Sequence, residues 1–165
     1  MPKNKHQTTI LAIRPGRREM GIAVLSGKGL RYWGVTRFRQ KKQEALLSAL
    51  DQRLLRLISL YKPTVLAIEK PTPVRLQTSP WLKQITAHTR ILARDAALRV
   101  YTYDPIQIRK CLCGSARATR SDLAQRIVET YPHLARYNNQ VSRWQETYWM
   151  QMFAAVAVGM VCGER

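Results

Sequence analysis

The chain has 165 residues, 45% of them apolar and 23% charged, which suits a single domain over 1–165 with a core of its own. No run of about eighteen apolar residues is free of charge, which argues against a membrane span. Twenty-eight Lys and Arg stand against ten Asp and Glu, a formal charge of +18 that is self-repulsive unless a polyanion such as a nucleic-acid backbone offsets it.

Residues 1–7 carry Lys3 and Lys5 but no apolar stretch follows, so the segment reads as a disordered tail and not as a secretory signal. Thr8 to Ile13 is a continuous apolar run, as expected of a strand buried on both faces. Pro15-Gly16 signals a turn, Met20 to Leu25 a second strand, Gly27-Lys28-Gly29 another turn, and Leu30 to Phe38 a third strand. Three strands joined this tightly predict an antiparallel meander. Leu47, Leu50, Leu54, Ile58 and Tyr61 recur at helical spacing, with Gln43, Asp51, Gln52 and Arg56 facing away, and Lys62-Pro63 ends that helix. Thr64 to Glu69 is a buried strand with a carboxylate at its tip, stopped by Pro71 and Pro73.

A helix is predicted from Trp81 to Leu98 and a short fifth strand from Arg99 to Tyr103. Pro105 opens a short helix through Cys111, Gly114 breaks it, and Thr119 or Ser121 caps another that runs to Tyr131. Pro132 to Val141 reads as polar loop. Ser142 starts the last helix, with Trp144, Tyr148, Met152, Ala155 and Gly159 on one apolar stripe. The order gives a mixed sheet with helices on its faces. Cys111 and Cys113 form a C-x-C pair with no second pair near, and the nearest histidine is His133, so a zinc site is rejected. The odd cysteine count fits reduced thiols in a cytoplasmic compartment.

Ile10 to Gly16 followed by Gly21-Ile22-Ala23-Val24 resembles the opening hairpin of RuvC-type Holliday-junction resolvases. Val65 to Glu69 is similar to the central strand of that family, Tyr103 to Lys110 with Gly114 to its next segment, and Ala155 to Val158 to its closing helix. The resemblance implies an α/β, RNase H-like five-stranded mixed sheet with helices on both faces. It also implies nucleic acid as partner, DNA ahead of RNA, a homodimer, a cytoplasmic or nucleoid-associated place, and work in DNA recombination and repair.

The same resemblance implies four carboxylates around two Mg²⁺ ions, because divalent cations that close together need several anionic oxygens to hold them. Carried over one at a time, the first-strand acid falls on Arg14, the central-strand acid is kept as Glu69, and the two acids of the last helix fall on Gln151 and Ala154. A second register puts those two on Glu146 and Trp149. A guanidinium in place of a bridging carboxylate repels a unit positive charge by roughly 4 kcal/mol at contact distance and an effective dielectric of about 20. The expectation is therefore an Arg14–Glu69 ion pair standing in for metal, no cofactor, and a pseudonuclease that grips through Arg17, Arg18, Arg37, Arg39, Lys83, Arg109, Lys110, Arg117 and Arg120.

Two alternatives stand beside it. One is an active Mg²⁺-dependent endonuclease using Glu69, Glu146 and a further acid. The other is a scaffold subunit of a larger assembly, docking through the aromatic segment Trp144 to Trp149. Asp104 and Asp122 read as helix-capping acids, and His88 and His133 as histidines without catalytic partners. The stretch 71–74 lacks the base-stacking aromatic that the family often carries after its central Glu, and Trp81 is a candidate substitute or a core residue.

Overall fold

The computed structural model describes residues 7–27, 29–139 and 142–164, so the expected N-terminal tail lies, apart from Gln7, outside the described residues. Five strands, β1 (Thr9–Arg14), β2 (Glu19–Ser26), β3 (Gly29–Arg37), β4 (Val65–Glu69) and β5 (Arg99–Tyr103), form one sheet in the order β3-β2-β1-β4-β5. The β1–β2 and β2–β3 pairs are antiparallel, as the short turns require, and β1–β4 and β4–β5 are parallel.

The strand period of two sorts the sheet into two apolar faces. Leu11, Ile13, Ile22, Val24 and Leu66 face a layer that holds Leu46, Leu50, Leu54 and Leu57 of α1 (Gln43–Tyr61) and Ile85 and Ala93 of α3 (Pro80–Asp95). The buried row of α1 is thus displaced from the predicted one: Leu47, Ile58 and Tyr61 are only half-buried. Removing Leu54 to Ala from this layer costs about 2–5 kcal/mol by lost transfer energy and cavity.

Ile10, Ala12, Ala23, Leu25, Val65 and Ala67 face the other layer, built from α4 (Pro105–Cys113), α5 (Arg120–Thr130) and α7 (Arg143–Gly163). The small residues here let α7 lie close. A Cβ on Gly21 would stand 1.8 Å from the Gln151 carbonyl oxygen, and one on Gly159 would stand 2.2 Å from Leu25 Cδ1. Ser142 caps α7, its Oγ accepting from the Gln145 amide at 3.1 Å. The stripe predicted on α7 is buried from Met152 onward, while Trp144 is 59% exposed.

Three elements differ from the sequence reading. Pro73 to Thr78 is a helix, α2, where only a strand stop was expected; Thr72 caps it and Pro73 takes its first position. The next helix ends at Asp95 and not Leu98, because the chain turns through Ala97 at φ 63°. Pro132 to Asn138 is not loop but a 3-10 turn (Pro132–Leu134) running into α6 (Ala135–Asn138), drawn in by the fully buried Leu134. Val141 of that predicted loop lies outside the described residues. No helix among the described residues is long and apolar enough to cross a membrane.

Candidate functional site

The parallel register of β1 and β4 places Ile13 beside Ile68, so the next residue of each strand, Arg14 and Glu69, sits at adjacent carboxyl ends. Arg14 Nε lies 3.8 Å from Glu69 Oε1, and the two side chains are only 16% and 10% exposed. The expected ion pair is therefore present in the geometry. Arg14 Nη1 also donates to Gln151 Oε1 on α7. That contact depends on the close seat of α7 over Gly21.

Three more guanidiniums enter the same cleft. Arg75 comes from α2 and is anchored by Nη2 donating to the Pro15 carbonyl at 2.8 Å. Arg109 comes from α4 and Arg120 from the first turn of α5. A reciprocal capping box fixes that turn: the Asp122 amide donates to Thr119 Oγ1, and the Thr119 amide to Asp122 Oδ2. Thr147, Gln151 and Ala154 close the cleft from α7. Among the described residues four arginines face one carboxylate, so the lining is strongly positive.

Electrostatics follow from that inventory. Burial pushes the Glu69 carboxyl above its ordinary range, against the opposing pull of Arg14 first, then Arg75, Arg109 and Arg120. Burial brings Arg14 down to about 10, opposed by Glu69 and reinforced by Arg75 and Arg120; it stays cationic at neutral pH. Arg75 is lowered by burial as well, with Glu69 opposing and Arg120 adding to the shift.

These residues do not fit the pair of divalent cations that the family resemblance implies. Among the described residues Glu69 is the sole acid lining the cleft, a guanidinium stands at the end of the first strand, and the α7 positions are an amide and a methyl. Among the described residues, no three His, Cys, Asp or Glu side chains come together as a metal-holding group.

Gln151 and Ala154 thus reach the cleft, whereas the second register does not. Glu146 is exposed in the first turn of α7, and Trp149 packs on Tyr137 and Tyr148 at ring distances of 4.4 and 4.9 Å. The expected basic surface divides. Arg109 and Arg120 enter the cleft, and Arg17, Arg39, Lys83, Lys110 and Arg117 are exposed. Arg37 is paired with Glu19 at 3.2 Å and lies over Trp144. Arg18 turns inward, donating to the Gln40 carbonyl at 2.6 Å and lying over Trp81, which is half-buried against the α1–α3 layer.

Asp122 caps as expected, but Asp104 occupies the N-cap of α4 with no side-chain cap bond. His88 Nε2 lies 2.6 Å from Asp51 Oδ1, a contact between two helices that brings in no nucleophile. His133 packs on Trp33. Arg75 went unpredicted because α2 did, although Thr72-Pro73 is a cap followed by a favoured first helical residue.

The sequence model of the family "Crossover junction endodeoxyribonuclease RuvC" matches residues 10–140. The RuvC of Akkermansia muciniphila, named a crossover junction endodeoxyribonuclease, is 31% identical over 121 residues, covering 70% of this chain and 72% of its own. Among solved structures, Thermus thermophilus RuvC superposes with a TM-score of 0.75 at 17% identity, over 95% of this chain and 96% of that one. The same protein in complex with a Holliday junction substrate gives 0.69 at 17% identity, over 94% and 96%.

Proposed function

Since the chain belongs to the RuvC family of crossover junction endodeoxyribonucleases, we propose that it is a member that binds branched or duplex DNA through its basic surface without cutting it. The observation that carries this reading is the Arg14–Glu69 ion pair at the carboxyl ends of β1 and β4. Two-metal hydrolysis needs clustered anionic oxygens that clamp both cations and activate water. Here the lining offers one, already engaged by a cation. Phosphate contacts supply most of the affinity of a DNA-binding surface and survive the loss of such a centre.

The partner chemistry rests on the +18 charge and on the relatives, one of which is described bound to a Holliday junction substrate. DNA is preferred over RNA on the same ground. A homodimer in a cytoplasmic, nucleoid-associated setting, acting in recombination and repair, completes the reading.

A labelled four-way junction and a labelled duplex, incubated with the purified chain and Mn²⁺ or Mg²⁺, test it. Retarded complexes without strand cleavage are expected. The curated relatives are named as endonucleases, which favours the competing reading of an active enzyme. Cleavage that disappears in Glu69→Gln would establish that alternative and end this one.

A further inference from the structure

The cleft at the ends of β1 and β4 has too many cations for its one anion. Arg14 and Arg75 are each held in place by a neutral acceptor, Gln151 Oε1 and the Pro15 carbonyl, so both guanidiniums are oriented by the fold and not by a charge partner alone. Arg109 and Arg120 converge on them from two further helices. Guanidiniums gathered this way repel one another, and the part-burial of Arg14 and Arg75, beside the exposed Arg120, is costly unless anionic oxygens answer it. Glu69 supplies one such group, at 3.8 Å from Arg14 Nε, a distance too long for a hydrogen bond. The planar forks still lack the bidentate oxygens that match them best. Crevices beyond the carboxyl ends of parallel strands are also where open α/β sheets receive ligands.

We propose that this cleft is a receptor for one backbone phosphodiester, gripped directly by Arg14, Arg75, Arg109 and Arg120, with Glu69 as a resident anion that the phosphate must displace. The proposal rests on the DNA-binding reading for its biological ligand, but not for its chemistry, which is that of any phosphate oxyanion. Its consequence is an inverted role for the glutamate. In a metal centre the carboxylate is indispensable to binding; here it competes with the ligand for the same guanidiniums.

Inorganic phosphate is the probe, titrated calorimetrically into the full chain in a buffer free of other polyvalent anions. Glu69→Gln keeps the side-chain shape and removes the competing charge, so its affinity for phosphate rises by about tenfold or more. Arg75→Gln lowers that affinity by a similar factor, and Arg75→Lys recovers only part, since a point charge cannot reproduce the fork. Unchanged or weaker phosphate binding in folded Glu69→Gln overturns the proposal. Should that variant not fold, Arg75→Gln decides alone: phosphate affinity equal to wild type overturns it.

The two readings fail separately. If the wild type does not retard junction or duplex DNA but Glu69→Gln gains phosphate affinity, the receptor stands and the DNA-binding reading falls. If DNA is retarded while phosphate affinity ignores both substitutions, only the receptor falls.

Discussion

Arg14 and Glu69 face each other across the carboxyl ends of neighbouring parallel strands, 3.8 Å apart and largely shielded from water. The pairing brings opposite charges together where a two-cation centre would need two carboxylates. A partly buried ion pair is poor evidence for stability, since desolvation offsets much of the attraction. Its weight here is chemical: it decides what the cleft can hold.

Reversing the charge pattern should rebuild a cation site. Gln151 and Ala154 line the cleft with Arg14 and Glu69, so Arg14→Asp combined with Gln151→Asp and Ala154→Asp surrounds one space with four carboxylates. The triple variant is expected to bind Mn²⁺ measurably in titration calorimetry, with no binding in the wild type. Failure of the folded triple variant to take up Mn²⁺ would show that these α7 positions do not share a coordination sphere.

Stability should depend on pH through Glu69. Burial holds its folded-state value above the ordinary 4.5 against the opposing pull of Arg14, so the native chain keeps this proton to a higher pH than the unfolded chain does. Native and unfolded chains are both protonated well below 4.5, where no penalty applies. As pH rises above that value the unfolded chain releases its proton first, and native stability falls until the folded-state value is passed. In urea titrations between pH 4.5 and 8, wild type is expected to lose stability relative to Glu69→Gln as pH rises. A difference that stays flat across the range contradicts this.

Gly21→Ala should disturb the site from outside it. The added carbon would collide with the backbone of α7 at Gln151, which cannot rotate away as a side chain would. A loss of about 1–3 kcal/mol or more is expected in chemical unfolding. The Arg14 to Gln151 hydrogen bond should be displaced with it, visible as a changed Arg14 side-chain environment by nuclear magnetic resonance. Wild-type stability in the variant would mean α7 does not press on β2 as described.

Arg17 and Arg18 are neighbours with different expected phenotypes. Arg17 is exposed, whereas Arg18 is committed to the Gln40 carbonyl and the Trp81 ring. On the DNA-binding reading, Arg17→Ala lowers the salt dependence of junction binding by about one unit of log–log slope and leaves stability alone. Arg18→Ala mainly lowers stability, by about 1 kcal/mol, as expected for a lost hydrogen bond and ring contact. Equal effects of the two on the salt slope would refute the distinction.

What the sequence makes legible depends on how local the cause is. Strands β1 and β4 are written in apolar runs with turn residues at their ends, and the match of the predicted Arg99 to Tyr103 strand is complete. The Arg14–Glu69 contact is expected from the family resemblance, which sets both positions in one site, and the parallel pairing of β1 and β4 brings it about. Arg75 was hidden by two prolines read only as breakers, although one of them opens α2. The His88–Asp51 contact joins residues 37 apart on two helices, and no local pattern announces it. The buried row of α1 differs from the predicted one by one position at its ends, because adjacent apolar residues at 46 and 47, and at 57 and 58, fit more than one helical face. Tertiary packing made the choice.

The seat of α7 on the sheet has an evolutionary corollary. Arg14 and Gln151 touch although 137 residues separate them, so the electrostatic character of the cleft is spread over distant codons. Exchanging Arg14 alone for an acid would crowd a second carboxylate against Glu69 with no cation to hold, and changing Gln151 or Ala154 alone would give an acid facing guanidiniums. Each first step is unrewarded. On the non-cleaving reading proposed above, a path from this arrangement to hydrolysis needs several coordinated changes, at codons far apart, before selection has anything to act on.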